Sequence, residues 1–189
     1  MSEPTYVPLF FLKQKFAMTT NRYELLSAGT DGQVGQTLGF AEQKRMAFKE
    51  EVTFYTDQSR TQKVLSFKAR KVMDLNAGYD VFDDAHQPIG FFRKDFGASL
   101  LRSTFHVEGP GYTGTGQERS QLVAIVRRFS DIPFLPIHFD YVTPEGQPLL
   151  SIERQSTVRD RYTVRVADPR VDFRIAAALA VAMDALMSR

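Results

Sequence analysis

Cysteine is absent from the 189 residues. That excludes a disulfide framework, a thiolate zinc site and a cysteine nucleophile; nothing argues for export, so the cytoplasm is the expected compartment. An excess of one charge is lacking too. The 24 Lys and Arg against 22 Asp and Glu leave a formal net charge of +2; that leaves room for a local basic patch but is too little to imply nucleic acid, and with no RNA- or DNA-reading motif beside the charge no nucleic-acid partner is expected. Residues 1–5 carry no basic region followed by an apolar stretch and a small-residue cleavage site, so they read as a short frayed tail rather than a secretory signal. No apolar run approaches the roughly 20 residues that a bilayer crossing needs, and no transmembrane segment is expected. What remains is ordinary globular usage, 43 % hydrophobic and 24 % charged, and the length predicts one domain over 1–189.

Short β-rich runs recur between turn signals. Leu65–Ala69, Phe105–Val107, Ile137–Tyr141 and Tyr162–Val166 alternate apolar with polar residues, which puts Phe67, Phe139 and Val164 on one face and Lys68, His138 and Arg165 on the other. The chain also repeats itself. Tyr79–Lys94 aligns without a gap to Phe139–Arg154, and the Gln87-Pro88 and Gln147-Pro148 pairs, the leading aromatic-Asp pairs and the closing basic residues coincide. A looser third copy begins at Tyr23 with Gly32-Gln33 in its turn. Repeated antiparallel hairpins favour a meander of about twelve strands that closes on itself, because closure removes unpaired edges.

The period changes at the C-terminus. Asp168 suits an N-cap and Pro169 a first helical position, and Ile175–Met183 follows without a polar residue. A helix is expected over 170–187. It is apolar on every face and rich in alanine, hence slim, and such a helix has to be surrounded by protein. The strands are expected to close around it. Asp184 interrupts the apolar run; it is expected either to be anchored at the barrel end by backbone amides or an arginine, or to open a polar site at the barrel mouth.

The opening Leu12–Met18, the aromatic-Glu strand at Tyr23, Val107-Glu108-Gly109, Ile152-Glu153-Arg154, and Asp160–Val164 leading to Asp168-Pro169 and an Ala-rich helix carrying Asp184 resemble the LURP-one-related family of the tubby C-terminal-like superfamily, which includes phospholipid scramblases. The resemblance spans about residues 6 to 187 and implies a mostly β fold, a twelve-stranded closed antiparallel barrel around a buried C-terminal helix. It further implies a lipid-facing function, since tubby domains bind phosphoinositide headgroups. No cationic motif matches the tubby lipid site residue by residue, and none is transferred.

Candidate chemistry is sparse. Gly109–Gly114 formally matches a dinucleotide fingerprint, but no helix follows it to aim amides at a pyrophosphate, so it reads as a Gly-rich hairpin. His86 falls in a turn, and His106 and His138 fall on outward strand positions, without metal-ligand spacing. Asp83-Asp84 reads as turn chemistry. No nucleophile and base, metal cluster or phosphate loop is left, so no enzyme, cofactor or metal is expected. Basic residues cluster at Lys68-Arg70-Lys71, Arg93-Lys94, Arg127-Arg128 and Arg159-Arg161. Of these, Arg93, Lys94, Arg127, Arg128, Arg159 and Arg161 are the candidate anion- or lipid-binding residues, provided that they converge on one side. Two readings stay open: a binder of anionic phospholipid or a membrane surface, peripheral to the membrane, and a protein-interaction or regulatory module.

Overall fold

The computed structural model describes residues 5–16, 20–44, 51–70, 78–95, 103–119, 137–155 and 161–187. Twelve strands run in chain order: β1 (Leu9–Phe16), β2 (Thr20–Ala28), β3 (Val34–Lys44), β4 (Glu51–Tyr55), β5 (Lys63–Ala69), β6 (Gly78–Asp83), β7 (Pro88–Asp95), β8 (Thr104–Gly109), β9 (Tyr112–Glu118), β10 (Ile137–Val142), β11 (Pro148–Gln155) and β12 (Arg161–Val166). Each pairs antiparallel with its chain neighbours, and β1 pairs with β12 from Leu9↔Arg165 to Lys13↔Arg161, closing the barrel. Closure leaves no sheet edge, as the repeated hairpins led one to expect.

The repeat is a repeat of turn geometry. In the β6–β7 hairpin Asp83 N–H donates to the Gln87 carbonyl and His86 N–H to the Asp83 carbonyl; in β10–β11, Thr143 N–H donates to Gln147 and Gly146 N–H to Thr143. The side chains of Asp83 and Thr143 each accept from the amide of the Gln four residues on. The third copy makes the same pair of bonds, Gly29 N–H to Gln33 and Gly32 N–H to Gly29. All three turns need a left-handed residue at the same place: φ is 82° at Gly146, 74° at Gly32 and 60° at His86. A type I turn followed by such a residue is a common short hairpin connection.

The lumen is filled by helix α1 (Phe173–Met187), with every residue from Ile175 to Ala182 fully buried. A twelve-stranded barrel is wide enough to need an internal filler, and a run of alanines lets the helix fit. The wall yields at glycines. A Cβ on Gly90 would lie 2.6 Å from Ile175 Cδ1, and one on Gly116 would lie 2.2 Å from the Tyr141 ring. Around the helix the wall is aromatic: Phe67, Tyr79 and Phe92 pack as one group, with Tyr79 stacked on Phe92 at 5.2 Å, and Phe105 meets Phe139 edge-on at 5.5 Å.

The helix begins later than Asp168-Pro169 predicts. Asp172 is the N-cap, its Oδ1 accepting from Arg174 N–H at 2.8 Å and its carbonyl from Ala176 N–H. Asp168 instead caps a separate turn through Arg170 N–H. Packing decides between the two aspartates: Phe173 N–H donates to the Thr5 carbonyl at 2.7 Å, and Thr5 N–H reaches Asp172 Oδ2, so residues beside β1 fix where the helix enters.

Candidate functional site

Asp184 sits where α1 reaches its end of the barrel, 2 % exposed. Two phenols hold it. Tyr23 Oη on β2 donates to Oδ2 at 2.8 Å and Tyr162 Oη on β12 to Oδ1 at 2.6 Å. Both phenols are pushed well above their ordinary pKa, first by burial and then by the carboxylate charge beside them, so they stay protonated donors. One residue earlier on the helix, Tyr141 Oη donates to Met183 Sδ at 3.0 Å. Sequence reasoning does not single out these two tyrosines as partners of Asp184. The arrangement pins the helix at a fixed depth.

The candidate basic residues divide between opposite walls. Arg93 and Lys94 lie at the end of β7 and Arg161 opens β12, all at the barrel end where α1 terminates, but four strands separate β7 from β12 on the shorter way around the ring. Arg127, Arg128 and Arg159 lie outside the described residues. Lys94 turns inward: its Nζ donates to the Leu186 carbonyl at 3.4 Å and lies 5.8 Å from the Phe105 ring centre, a cation placed at the negative end of the helix dipole. Arg93 is exposed. Arg70 is spent on Asp80, with Nη2 to Oδ1 at 2.7 Å, and its guanidinium stands 4.0 Å over the Phe91 ring.

Arg161 has different company. On the outer face, Arg161 faces Lys13 across β12–β1, Lys13 faces Glu24 across β1–β2, Glu24 faces Phe40 across β2–β3, and Phe40 faces Tyr55 across β3–β4. The next row is Lys15, Arg22, Glu42 and Thr53. Lys15 pairs with Glu24 at 2.8 Å; partial burial works against that carboxylate, but the lysine holds it below its ordinary pKa. Arg22 Nε lies 3.5 Å from Glu42, and Arg60, reaching over from the β4–β5 turn, pairs with the same carboxylate. Lys13 and Arg161 are like charges directly opposed, an arrangement that costs stability in a sheet; neither has an ion pair among the described residues.

The β4–β5 turn is tied to itself. Asp57 accepts from the hydroxyls of Ser59, Thr61 and Thr56, the first two of which hold its carboxyl far below the usual range. Arg60 there has φ 62°. Between this turn and the β2–β3 wall lies a cavity of about 200 Å³. Lys13, Lys15, Arg22 and Arg60 escape sequence reasoning because they form no run: period two marks the first three as outward on their strands, Arg60 lies in the β4–β5 turn, and only register and the fold of that turn make the four neighbours.

The histidines make side-chain contacts of their own. On β7–β9, Thr115 Oγ1 lies 3.2 Å from His106 Nδ1 and Asp95 Oδ2 lies 3.4 Å from His106 Nε2. The outward position of His106 matches expectation. His138 also faces outward, 3.3 Å from Asp140; His86 stacks on Phe82 in its turn. Gly109–Gly114 forms the β8–β9 hairpin and is followed by strand. No group of three or more potential metal ligands occurs among the described residues, and none of their helices is long and apolar enough to cross a membrane.

A family model described as LURP-one-related matches residues 37–184. No curated protein and no solved structure matches the chain.

Proposed function

The chain belongs to the LURP-one-related family, and we propose that its barrel is a non-enzymatic binding module that meets anionic phospholipid headgroups at a membrane surface with the outer wall of β12, β1, β2 and β3. The observation that carries this reading is the register of that wall, which gathers Arg161, Lys13, Lys15, Arg22 and Arg60 around Glu24, Glu42 and Asp57. Five cations against three carboxylates leave an excess of two. At about 1 kcal/mol per cation near an anionic bilayer, that excess is worth about 2 kcal/mol, a reversible attachment lost beyond a Debye length of about 8 Å at physiological salt. An anion would also relieve the repulsion between Lys13 and Arg161. The filled lumen supports binding over turnover, because the helix occupies the space a substrate would need.

Co-sedimentation with vesicles containing phosphoinositide or phosphatidylserine, against phosphatidylcholine alone, at low and physiological salt tests the proposal. Binding to the anionic vesicles that weakens with salt is expected. Equal, negligible binding to both would overturn it and favour the protein-interaction reading.

A further inference from the structure

The cavity behind the β4–β5 turn has a chemistry of its own. Its floor holds Phe40 and Tyr55, cross-strand partners on the outer face that stay partly exposed. Its walls carry Arg22, Arg60, Glu42 and Asp57.

Hydrogen bonding at these walls is lopsided. Asp57 accepts from three hydroxyls of its own turn. Glu42 is shared by two guanidiniums, and Glu24 takes Lys15 and the Thr37 hydroxyl. The acceptors are engaged. Each guanidinium offers five N–H donors, whereas Arg22 and Arg60 each make one ion pair, both to that one carboxylate, with side chains 55 % and 45 % exposed. A ligand entering here has to bring acceptors to the arginines and an apolar body to the aromatic floor. Size limits it further: about 200 Å³ is below the 300–1,000 Å³ of ordinary drug-sized sites, which leaves room for one ring and one acidic group.

Arg60 adds a second, independent observation. A left-handed backbone is costly for a residue with a Cβ, and strain of this kind collects where a side chain has to be aimed. In the three repeated hairpin turns, which also carry a left-handed residue, the chain uses glycine in two and His86 in the third, whose ring stacks on Phe82. Here it keeps an arginine and turns its guanidinium over the β2–β3 wall onto Glu42.

We propose that this cavity binds a small aromatic monoanion of the aryl carboxylate class, with its ring on Phe40 and Tyr55 and its carboxylate bridging Arg22 and Arg60. The site shares Arg22 and Arg60 with the wall of the membrane reading, but it takes a soluble molecule and does not need Lys13 or Arg161, so Lys13→Glu with Arg161→Glu should leave benzoate binding near the wild-type level.

Saturation-transfer NMR with benzoate, benzyl alcohol and inorganic phosphate as probes, on the full chain, tests it. Benzoate is expected to bind with a Kd of about 1 mM or tighter, and each of the other two at least about tenfold more weakly. Arg60→Gly is the informative variant: φ 62° suits glycine, so its Tm should be unchanged or raised while benzoate binding falls about tenfold or more. Arg22→Gln should lower benzoate binding likewise. The proposal is overturned if benzoate does not bind, if Arg60→Gly keeps the wild-type affinity, or if phosphate binds as tightly as benzoate.

Discussion

Replacing Asp184 by alanine removes the acceptor of two buried phenols and should be among the most damaging single changes in the helix. Tyr23 and Tyr162 are each about 1 % exposed, so neither hydroxyl can turn to water. A buried donor left without its partner costs about 1 to 3 kcal/mol, and bonds to a charged acceptor lie at the upper end of that range. Two such donors amount to about 3 to 5 kcal/mol once the relief of no longer burying a carboxylate is subtracted. With an m-value of about 2 to 3 kcal/mol per M, the urea midpoint should fall by about 1 to 2.5 M. The converse experiment is sharper. In Tyr23→Phe, Tyr162→Phe, Asp184→Leu the donors and the acceptor go together, and replacing both sides of a buried polar contact by apolar groups is nearly neutral. Urea unfolding should therefore show the triple variant recovering the part of the loss that the two unpartnered phenols cause. A midpoint for Asp184→Ala within about 0.3 M of wild type, or a triple variant as unstable as the single one, would refute the claim that the carboxylate and phenols act as one clamp.

High pH should undo the same core. Tyr23, Tyr112, Tyr141 and Tyr162 all have pKa values raised by burial; below about pH 10 their phenols are protonated in both states and their stabilisation is fully present. Above it the unfolded chain loses protons that the native one keeps, so the unfolding free energy from urea titrations should drop with a slope of about 1.4 kcal/mol per pH unit for each phenol until the native phenols ionise; a flat profile from pH 9 to 11 would contradict this. Gly146→Ala should cost about 1 kcal/mol through backbone strain alone, because φ is 82° and nothing lies within 4 Å of the added Cβ; an unchanged Tm would show the turn to be adaptable. Gly90→Ala should cost about 1 to 3 kcal/mol by pressing on Ile175, and pairing it with Ile175→Ala should cost less than the sum of the two, a coupling that a double-mutant cycle measures.

The fold was legible where its cause is local. Turn bonds among five consecutive residues, such as Thr143 to Gln147, need only those residues, so the hairpin repeat shows as a sequence repeat. An all-round apolar, alanine-rich run such as Ile175–Met183 has one place to go in an all-β chain, and the helix occupies it. The helix start was less legible because Asp168 and Asp172 are both fit to cap; the contact of Thr5 with Phe173 chooses between them, and no window of sequence contains that contact. The basic wall was the least legible. Reading runs such as Arg93-Lys94 assumes that sequence neighbours are surface neighbours, whereas alternation sends Arg93 outward and Lys94 into the lumen. Lys13 and Arg161 meet because the ends of the barrel meet, which takes ring closure and register together.

The claim that one particular wall does the binding is tested most directly by moving charge between walls. Lys13→Glu with Arg161→Glu should abolish the salt-sensitive co-sedimentation with anionic vesicles, since it turns an excess of two cations into an excess of two carboxylates on that wall. Arg93→Glu on the opposite wall should leave it near the wild-type level. Equal losses from the two, or a larger loss from Arg93→Glu, would contradict the assignment of the binding face to β12, β1, β2 and β3.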